Sequence, residues 1–117
     1  MPHQIAKKRL SRTDDHRRAL LRNLATSFFK HEKIETTTAK AKEVSKVIER
    51  LITTARRGDL HSRRLVAAYL TEPKVVAKVC DQIGPALKER TGGYTRIVRT
   101  RVREGDAAEM AVLELVR

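Results

Sequence analysis

The side chains with the widest chemical range in this sequence are four histidines and a single cysteine: His3, His16, His31, His61 and Cys80. A structural zinc site needs a close set of such ligands, often including two histidines four residues apart on one helix. No two of these histidines have that spacing on one predicted helix, and the cysteine falls on an apolar stripe. We therefore expect no metal site, no cofactor and no internal disulfide.

Two acids and a histidine stand together at Asp14, Asp15 and His16, as in the acid–base group of an RNA-cleaving enzyme. Acids at the start of a helix are better explained by capping and by the helix dipole. Nothing in the spacing brings a second acid or base into the same cleft. We expect no catalytic residue and no small-molecule substrate. A small RNA-processing enzyme remains as a competing hypothesis.

Positive charge dominates the composition. The 117 residues include 26 Lys and Arg against 14 Asp and Glu, which gives a net charge of +12. Such an excess points to a polyanionic partner, and nucleic acid is the first candidate. Because aromatic residues make up only 3% of the chain, binding should depend on phosphate contacts rather than on base stacking. No apolar run is long enough to cross a membrane.

Residues 1–12 are interpreted as a basic N-terminal arm. They carry Lys7, Lys8, Arg9 and Arg12 and no acid, and they show no helical or strand period. Such a segment is expected to become ordered only when it meets a polyanion. The remainder, residues 13–117, is expected to form a single globular domain.

Apolar periodicity predicts about four helices in that domain, over residues 13–30, 38–57, 59–70 and 72–83. Thr38 and Asp59 are the expected N-caps of the second and third helices. Gly84-Pro85 is expected to end the fourth.

Strands are predicted at residues 33–37, 94–103 and 109–116. Turn residues join the last two into a C-terminal β-hairpin, whose second strand is the more apolar and should be the more buried. The predicted fold class is therefore α+β, with the helices packed on a small mixed sheet.

Alternating arginines mark the first strand of the hairpin. Arg99, Arg101 and Arg103 recur every second residue, so all three are expected on one face. Like charges on one face repel unless an anion lies across them, and no acid interrupts residues 94–103. We interpret this face as a phosphate-binding surface rather than as an ordinary solvated face.

Three Arg-Arg pairs lie on the predicted helices: Arg17-Arg18, Arg56-Arg57 and Arg63-Arg64. The planar guanidinium fork suits phosphate better than a lysine does. For any single pair, a role as solubilising surface is an equally good interpretation.

Several motifs are specific when taken together. His-Glu-Lys-Ile-Glu-Thr-Thr occupies residues 31–37, Gly-Asp-Leu-His residues 58–61 and Gly-Gly-Tyr-Thr-Arg-Ile residues 92–97. Lys-Ala-Lys-Glu at 40–43 and Gly-Asp-Ala-Ala at 105–108 complete the set. In order and spacing these motifs resemble the L-seventeen family of bacterial large-subunit ribosomal proteins.

The resemblance implies a mixed α/β protein without enzymatic activity, bound to large-subunit ribosomal RNA beside neighbouring large-subunit proteins. Its place would be cytoplasmic, on the solvent side of the subunit towards the polypeptide exit, with a structural role and a role in assembly. The RNA-facing positions that the resemblance implies are Arg12, Arg17, Arg18, Arg22, His31, His61, Arg63, Arg64, Tyr94 and Arg96. The charge pattern adds Lys7, Lys8, Arg9, Arg99, Arg101 and Arg103 to the predicted RNA-binding residues. The competing interpretation is a stand-alone nucleic-acid-binding module.

Overall fold

A long helix and a short strand open the described part of the chain. The computed structural model describes residues 14–116. Helix α1, Asp14–His31, has acids in its first turn, where the positive end of the helix dipole favours them. Glu32 then adopts a left-handed φ of 62°, which turns the chain out of the helix. Strand β1, Lys33–Thr37, follows directly.

Helix α2, Thr38–Ala55, has an apolar stripe at the spacing of an amphipathic helix, and all of the stripe is buried. Its residues are Val44, Val47, Ile48, Leu51, Ile52 and Ala55. Its N-cap is Thr37, whose hydroxyl oxygen accepts a hydrogen bond from the backbone N–H of Lys40. The prediction that Thr38 is the cap is wrong by one residue. The reason is that Thr38 is buried and donates its own hydroxyl to the carbonyl of Glu109, far along the chain.

Helix α3, Leu60–Tyr69, begins where the sequence predicts. The side chain of Asp59 accepts a hydrogen bond from the backbone N–H of Ser62 at 2.7 Å, as an N-cap residue does. Hydrogen bonding from Ser62 lowers the pKa of the Asp59 carboxyl group. The predicted cap is confirmed.

The fourth helix continues beyond its predicted end. Helix α4, Pro73–Lys78, passes into a π-helical segment, Val79–Ile83, and then into a last turn, α5, Gly84–Ala86. Gly84-Pro85 does not stop the helix, because proline is tolerated in the first turn of a helical segment, where its missing N–H is not needed. Gly84 also lies against α2, and a Cβ there would be 2.9 Å from the carbonyl oxygen of Ala55.

The sheet has three strands in the order β1-β3-β2. Strands β2, Thr95–Val102, and β3, Glu109–Leu115, form the predicted hairpin. Strand β3 is the more buried of the two because it is the central strand. It pairs antiparallel with both neighbours. The sheet is therefore antiparallel throughout and not mixed, since β1 and β2 run the same way but are separated by β3.

The helices cover one face of this sheet. Ile34, Leu113 and Ile97 lie side by side across the three strands and pack into a core shared with the helices. Phe28 and Ile48, from α1 and α2, have no exposed surface in that core. The predicted α+β class, with about four helices on a small sheet, is confirmed.

Candidate nucleic-acid interface

A β-bulge in β2 changes the direction in which its arginines point. Arg99 lies opposite Ala111 of β3. Arg101 lies opposite Met110, the residue next to Ala111, so Thr100 is an extra residue in β2. Because neighbouring residues of a strand face opposite sides of the sheet, Arg99 and Arg101 do so too. The prediction that Arg99, Arg101 and Arg103 share one face is therefore wrong.

Each arginine of the hairpin also has a carboxylate partner. The N···O distances are 2.8 Å for Arg96–Glu114, 3.7 Å for Arg99–Glu109, 3.2 Å for Arg101–Glu35 and 2.8 Å for Arg103–Asp106. Hydrogen bonds from Thr100 and Arg101 lower the pKa of Glu35. Hydrogen bonds from Arg103 and from the backbone of Ala108 lower the pKa of Asp106 to about 2. Acids on β1, on β3 and in the turn thus balance the positive charge of β2, which contains no acid of its own.

Two of the predicted α1 arginines are bound within the fold. The side chain of Arg17 is only 12% exposed and pairs with the buried Glu43 at 3.1 Å. Arg22 donates to the carbonyl oxygens of Tyr69 at 2.8 Å and Ala68 at 3.0 Å, where the end of α3 leaves carbonyls without helical partners. Both guanidinium groups hold helices together, whereas the sequence had suggested that they face RNA.

Tyr94, another predicted RNA-facing residue, has no exposed surface. Its hydroxyl accepts a hydrogen bond from Arg56 at 2.7 Å and donates one to the carbonyl of Arg90 at 3.2 Å. The Arg56 guanidinium lies 5.8 Å from the centre of the tyrosine ring and also donates to the carbonyl of Lys88. This side chain joins α2 to the loop that precedes β2, whereas the resemblance implies that it faces RNA.

Two glutamates of α2 have structural roles that sequence reasoning missed. Glu43 is 4% exposed and binds Arg17. Glu49 accepts hydrogen bonds from the backbone N–H and the hydroxyl of Thr95. The position of Glu43, four residues before Val47 and in line with the apolar stripe, is a signal that could have revealed its burial. Glu49 carries no comparable signal.

Most of the other predicted residues keep exposed side chains. They are Arg18, His31, His61, Arg63, Arg64, Arg96, Arg99, Arg101 and Arg103. Arg18 pairs with Asp15 at 3.2 Å and Arg63 with Asp81 at 2.7 Å. Ion pairs this exposed are weak, so the guanidinium groups are free to exchange carboxylate for another anion. The predicted arm residues Lys7, Lys8, Arg9 and Arg12 lie outside the described residues.

One set of exposed cations, which overlaps the predicted residues at one position, forms no ion pair within residues 14–116. It consists of Lys33, Lys42, Arg50, Arg57, Arg64, Lys74, Lys88 and Arg90. Apart from Lys33, these residues lie on the helices or in the loops that join them to one another and to β2. The cations of the sheet are thus largely balanced by acids, whereas those of the helical side are not.

The described residues contain neither a metal-binding cluster nor a helix that could span a membrane. Within residues 14–116, no three His, Cys, Asp or Glu side chains converge so as to hold a metal ion. Cys80 is partly buried against the core, and burial raises the pKa of its thiol. No helix in the same range has both the length and the apolar character needed to span a membrane.

A small basic α+β protein with unbalanced cations on several helices is typical of ribosomal proteins. The family model described as Ribosomal protein L17 matches residues 20–116. The chain belongs to this family, whose members are structural and non-enzymatic. The family predicted from the motifs is thereby confirmed, as is the prediction that the protein is not an enzyme.

Individual relatives match along nearly the whole chain. The large ribosomal subunit protein bL17 of Pelobacter propionicus is 53% identical over 116 residues, which are 99% of this chain and 91% of that protein. The bL17 protein of Clostridium acetobutylicum is 54% identical over 109 residues, or 93% of this chain and 96% of that one. The bL17 protein of Geobacter metallireducens is 51% identical, and this chain spans 65% of its length.

Proposed function

We propose that this protein binds large-subunit ribosomal RNA, stabilises its folded form and so aids subunit assembly and translation in the cytoplasm. The observation that carries the proposal is the set of exposed cations on the helices and their loops that form no ion pair within residues 14–116. Unbalanced cations on several sides suit a protein that lies among separate RNA segments. The proposal also agrees with the relatives, which are named as large ribosomal subunit proteins.

Residues 1–12 act as a basic arm, and residues 13–117 form the domain that holds the other cations in fixed positions. Within the domain, the exposed predicted residues bind phosphates together with the unpaired cations. Arg96, Arg99, Arg101 and Arg103 take part by exchanging their carboxylate partners for phosphate, since exposed ion pairs are weak. Arg17, Arg22 and Tyr94 are left out because their polar groups already bind within the fold.

Phosphate binding of this kind releases counterions, so affinity should fall steeply as salt rises. The shape of the folded RNA should matter more than its sequence. Neighbouring large-subunit proteins would then contact the surfaces that RNA leaves free.

The test is binding of the full chain to protein-free large-subunit ribosomal RNA, with small-subunit RNA as the comparison, at several salt concentrations. We expect preference for the large-subunit RNA and a steep negative slope of log affinity against log salt. The variant Arg57→Gln should reduce that slope, whereas Glu89→Gln, which changes an exposed acid, should not. Affinity that does not depend on salt would rule out the proposal.

A second test separates ribosomal binding from a stand-alone nucleic-acid-binding module. In cell extracts containing magnesium, the protein should sediment with the large subunit. Sedimentation as a free protein or with DNA would favour the stand-alone module.

A further inference from the structure

A groove of about 590 Å³ opens between α1 and α2, and Tyr69, the last residue of α3, also lines it. Four cations line it: Arg17, Arg18, Lys46 and Arg50. Among the described residues that line it, Glu43 is the only acid. The groove is therefore strongly positive, unlike the nearly balanced surface of the sheet.

Glu43 holds two of these cations in place. The side chain of Glu43 is 5% exposed. Its carboxylate oxygens accept hydrogen bonds from Arg17 at 3.1 Å and from Lys46 at 3.3 Å. One carboxylate cannot neutralise both, and Arg50, one turn beyond Lys46, forms no ion pair within the described residues. Successive head groups along α2 are thus presented about 6 Å apart along the helix axis, the rise of four residues.

Tyr69 gives the groove a hydrogen-bond donor that is held in place by its neighbours. Tyr69 lines the groove, and the guanidinium of Arg22 lies 5.6 Å from the centre of the tyrosine ring. Arg22 is itself fixed to the backbone of α3 by its two hydrogen bonds. Burial raises the pKa of Tyr69. Groups held in this way need little reordering when a ligand binds.

We propose that this groove binds a sugar–phosphate strand of the RNA, with one phosphate against Arg50 and Lys46 and Arg18 at the rim. Where α3 meets the groove, the hydroxyl of Tyr69 donates a hydrogen bond to a sugar or phosphate oxygen. The guanidinium forks of Arg18 and Arg50 suit phosphate. The inference rests on the proposed function and assigns one strand of that RNA to one site.

Two variants and a matched control test the groove. Arg50→Gln removes one phosphate contact, Arg50→Lys keeps the charge, and Lys30→Gln removes one exposed cation at the opposite end of α1. With protein-free large-subunit RNA at about 0.1 M salt, Arg50→Gln should weaken binding about fivefold and reduce the salt slope by about 0.7. Arg50→Lys should restore most of this loss, and Lys30→Gln should change affinity less than twofold.

A second measurement maps the contact on the protein. The side chains of Lys46 and Lys30 are 62% and 54% exposed, so an amine-modifying reagent should reach both in the free protein. The RNA should protect Lys46 and leave Lys30 reactive in the same sample. Poly-glutamate at the same charge concentration should protect Lys46 much less.

The outcomes separate this inference from the proposed function. If the unaltered protein binds the RNA but Arg50→Gln behaves like Lys30→Gln and Lys46 stays reactive, the groove inference is overturned and the proposed function stands. Equal protection of Lys46 by poly-glutamate would overturn it in favour of an acidic peptide. Failure of the unaltered protein to bind the RNA would instead overturn the proposed function.

Discussion

The carboxylate of Glu49 on α2 binds Thr95, the first residue of β2. Its Oε2 atom accepts the backbone N–H of Thr95 at 2.9 Å and the threonine hydroxyl at 2.8 Å. Its Oε1 atom accepts the backbone N–H of Tyr94 at 3.3 Å. A helix side chain thus satisfies the backbone at the point where the hairpin begins, and so fixes the position of β2 on the helices.

We expect Glu49→Ala to lower the free energy of unfolding by about 1–3 kcal/mol, because two backbone N–H groups lose their acceptor. Glu49→Gln keeps one acceptor oxygen and should lose less. Urea unfolding followed by circular dichroism gives both values. The control is Glu89→Ala, an exposed acid that forms no ion pair with any described residue, which should change stability by less than about 0.5 kcal/mol. An equal loss in Glu49→Ala and the control would contradict the assigned role.

Arg22→Lys should destabilise the protein although it keeps the charge. Lysine cannot reproduce the two hydrogen bonds to the carbonyls of Tyr69 and Ala68, and bonds from charged donors contribute about 1.5–3 kcal/mol each. Thermal unfolding should therefore show a clear loss for Arg22→Lys. Arg18→Lys, an exposed change on the same helix, should be nearly neutral. A stable Arg22→Lys protein with impaired RNA binding would instead support the original assignment of Arg22 to the RNA.

Tyr94→Phe separates packing from RNA contact. The change removes the hydroxyl that binds Arg56 and the carbonyl of Arg90, and should cost about 1–3 kcal/mol of stability. Because Tyr94 has no exposed surface, RNA affinity at a temperature where the variant is folded should not change. Urea titration and RNA titration of one preparation provide both readouts. Unchanged stability together with weaker RNA binding would show that the ring reaches the RNA.

Gly84→Ala should be destabilising despite the higher helix propensity of alanine. Its Cβ would meet the backbone carbonyl oxygen of Ala55 at 2.9 Å, so the last helical turn must move away from α2. We expect a loss of about 1–3 kcal/mol, as for other overpacked sites. Gly92→Ala is the matched control, because an added Cβ there meets nothing within 4 Å. Equal stability of the two variants would mean that the last helical turn can move away from α2 without loss of stability.

The turn of the hairpin should lose stability in acid. Asp106 has a pKa of about 2 against an ordinary 3.8, chiefly because Arg103 hydrogen-bonds its carboxylate. A pKa lowered by folding stabilises the folded state above about pH 4 and ceases to do so as pH falls towards 2. NMR titration of the carboxyl carbon should give the low value, and Arg103→Gln should return it towards 3.8. A titration of Asp106 that Arg103→Gln leaves unchanged would rule out this pair as the cause.

Much of the fold could be predicted because its signals are local. The stripe of α2, the Asp59 cap and the turn between β2 and β3 each depend on residues within a few positions of one another. The cap at Thr37 was missed because Thr38 is drawn to Glu109, a partner that only the folded chain brings near. The antiparallel character of the sheet was missed for the same reason, because it depends on pairing between strands that are distant in the sequence.

The site was predicted less well than the fold. Alternation in β2 gave a correct strand but a wrong face, since the extra residue Thr100 is defined only by its pairing with β3. Arginine composition alone also does not separate Arg22, fixed to α3, from Arg64, which is exposed and forms no ion pair in the described part of the chain. The difference depends on where backbone carbonyls and carboxylates come to lie after folding.

The strand order β1-β3-β2 has a consequence for the timing of synthesis. The two outer strands are made first, and each can pair only with β3, which is made last of the three. While the chain is still being translated, the helices can pack, but both outer strands keep open backbone edges. The sheet closes only after residues 109–115 have left the ribosome that makes them.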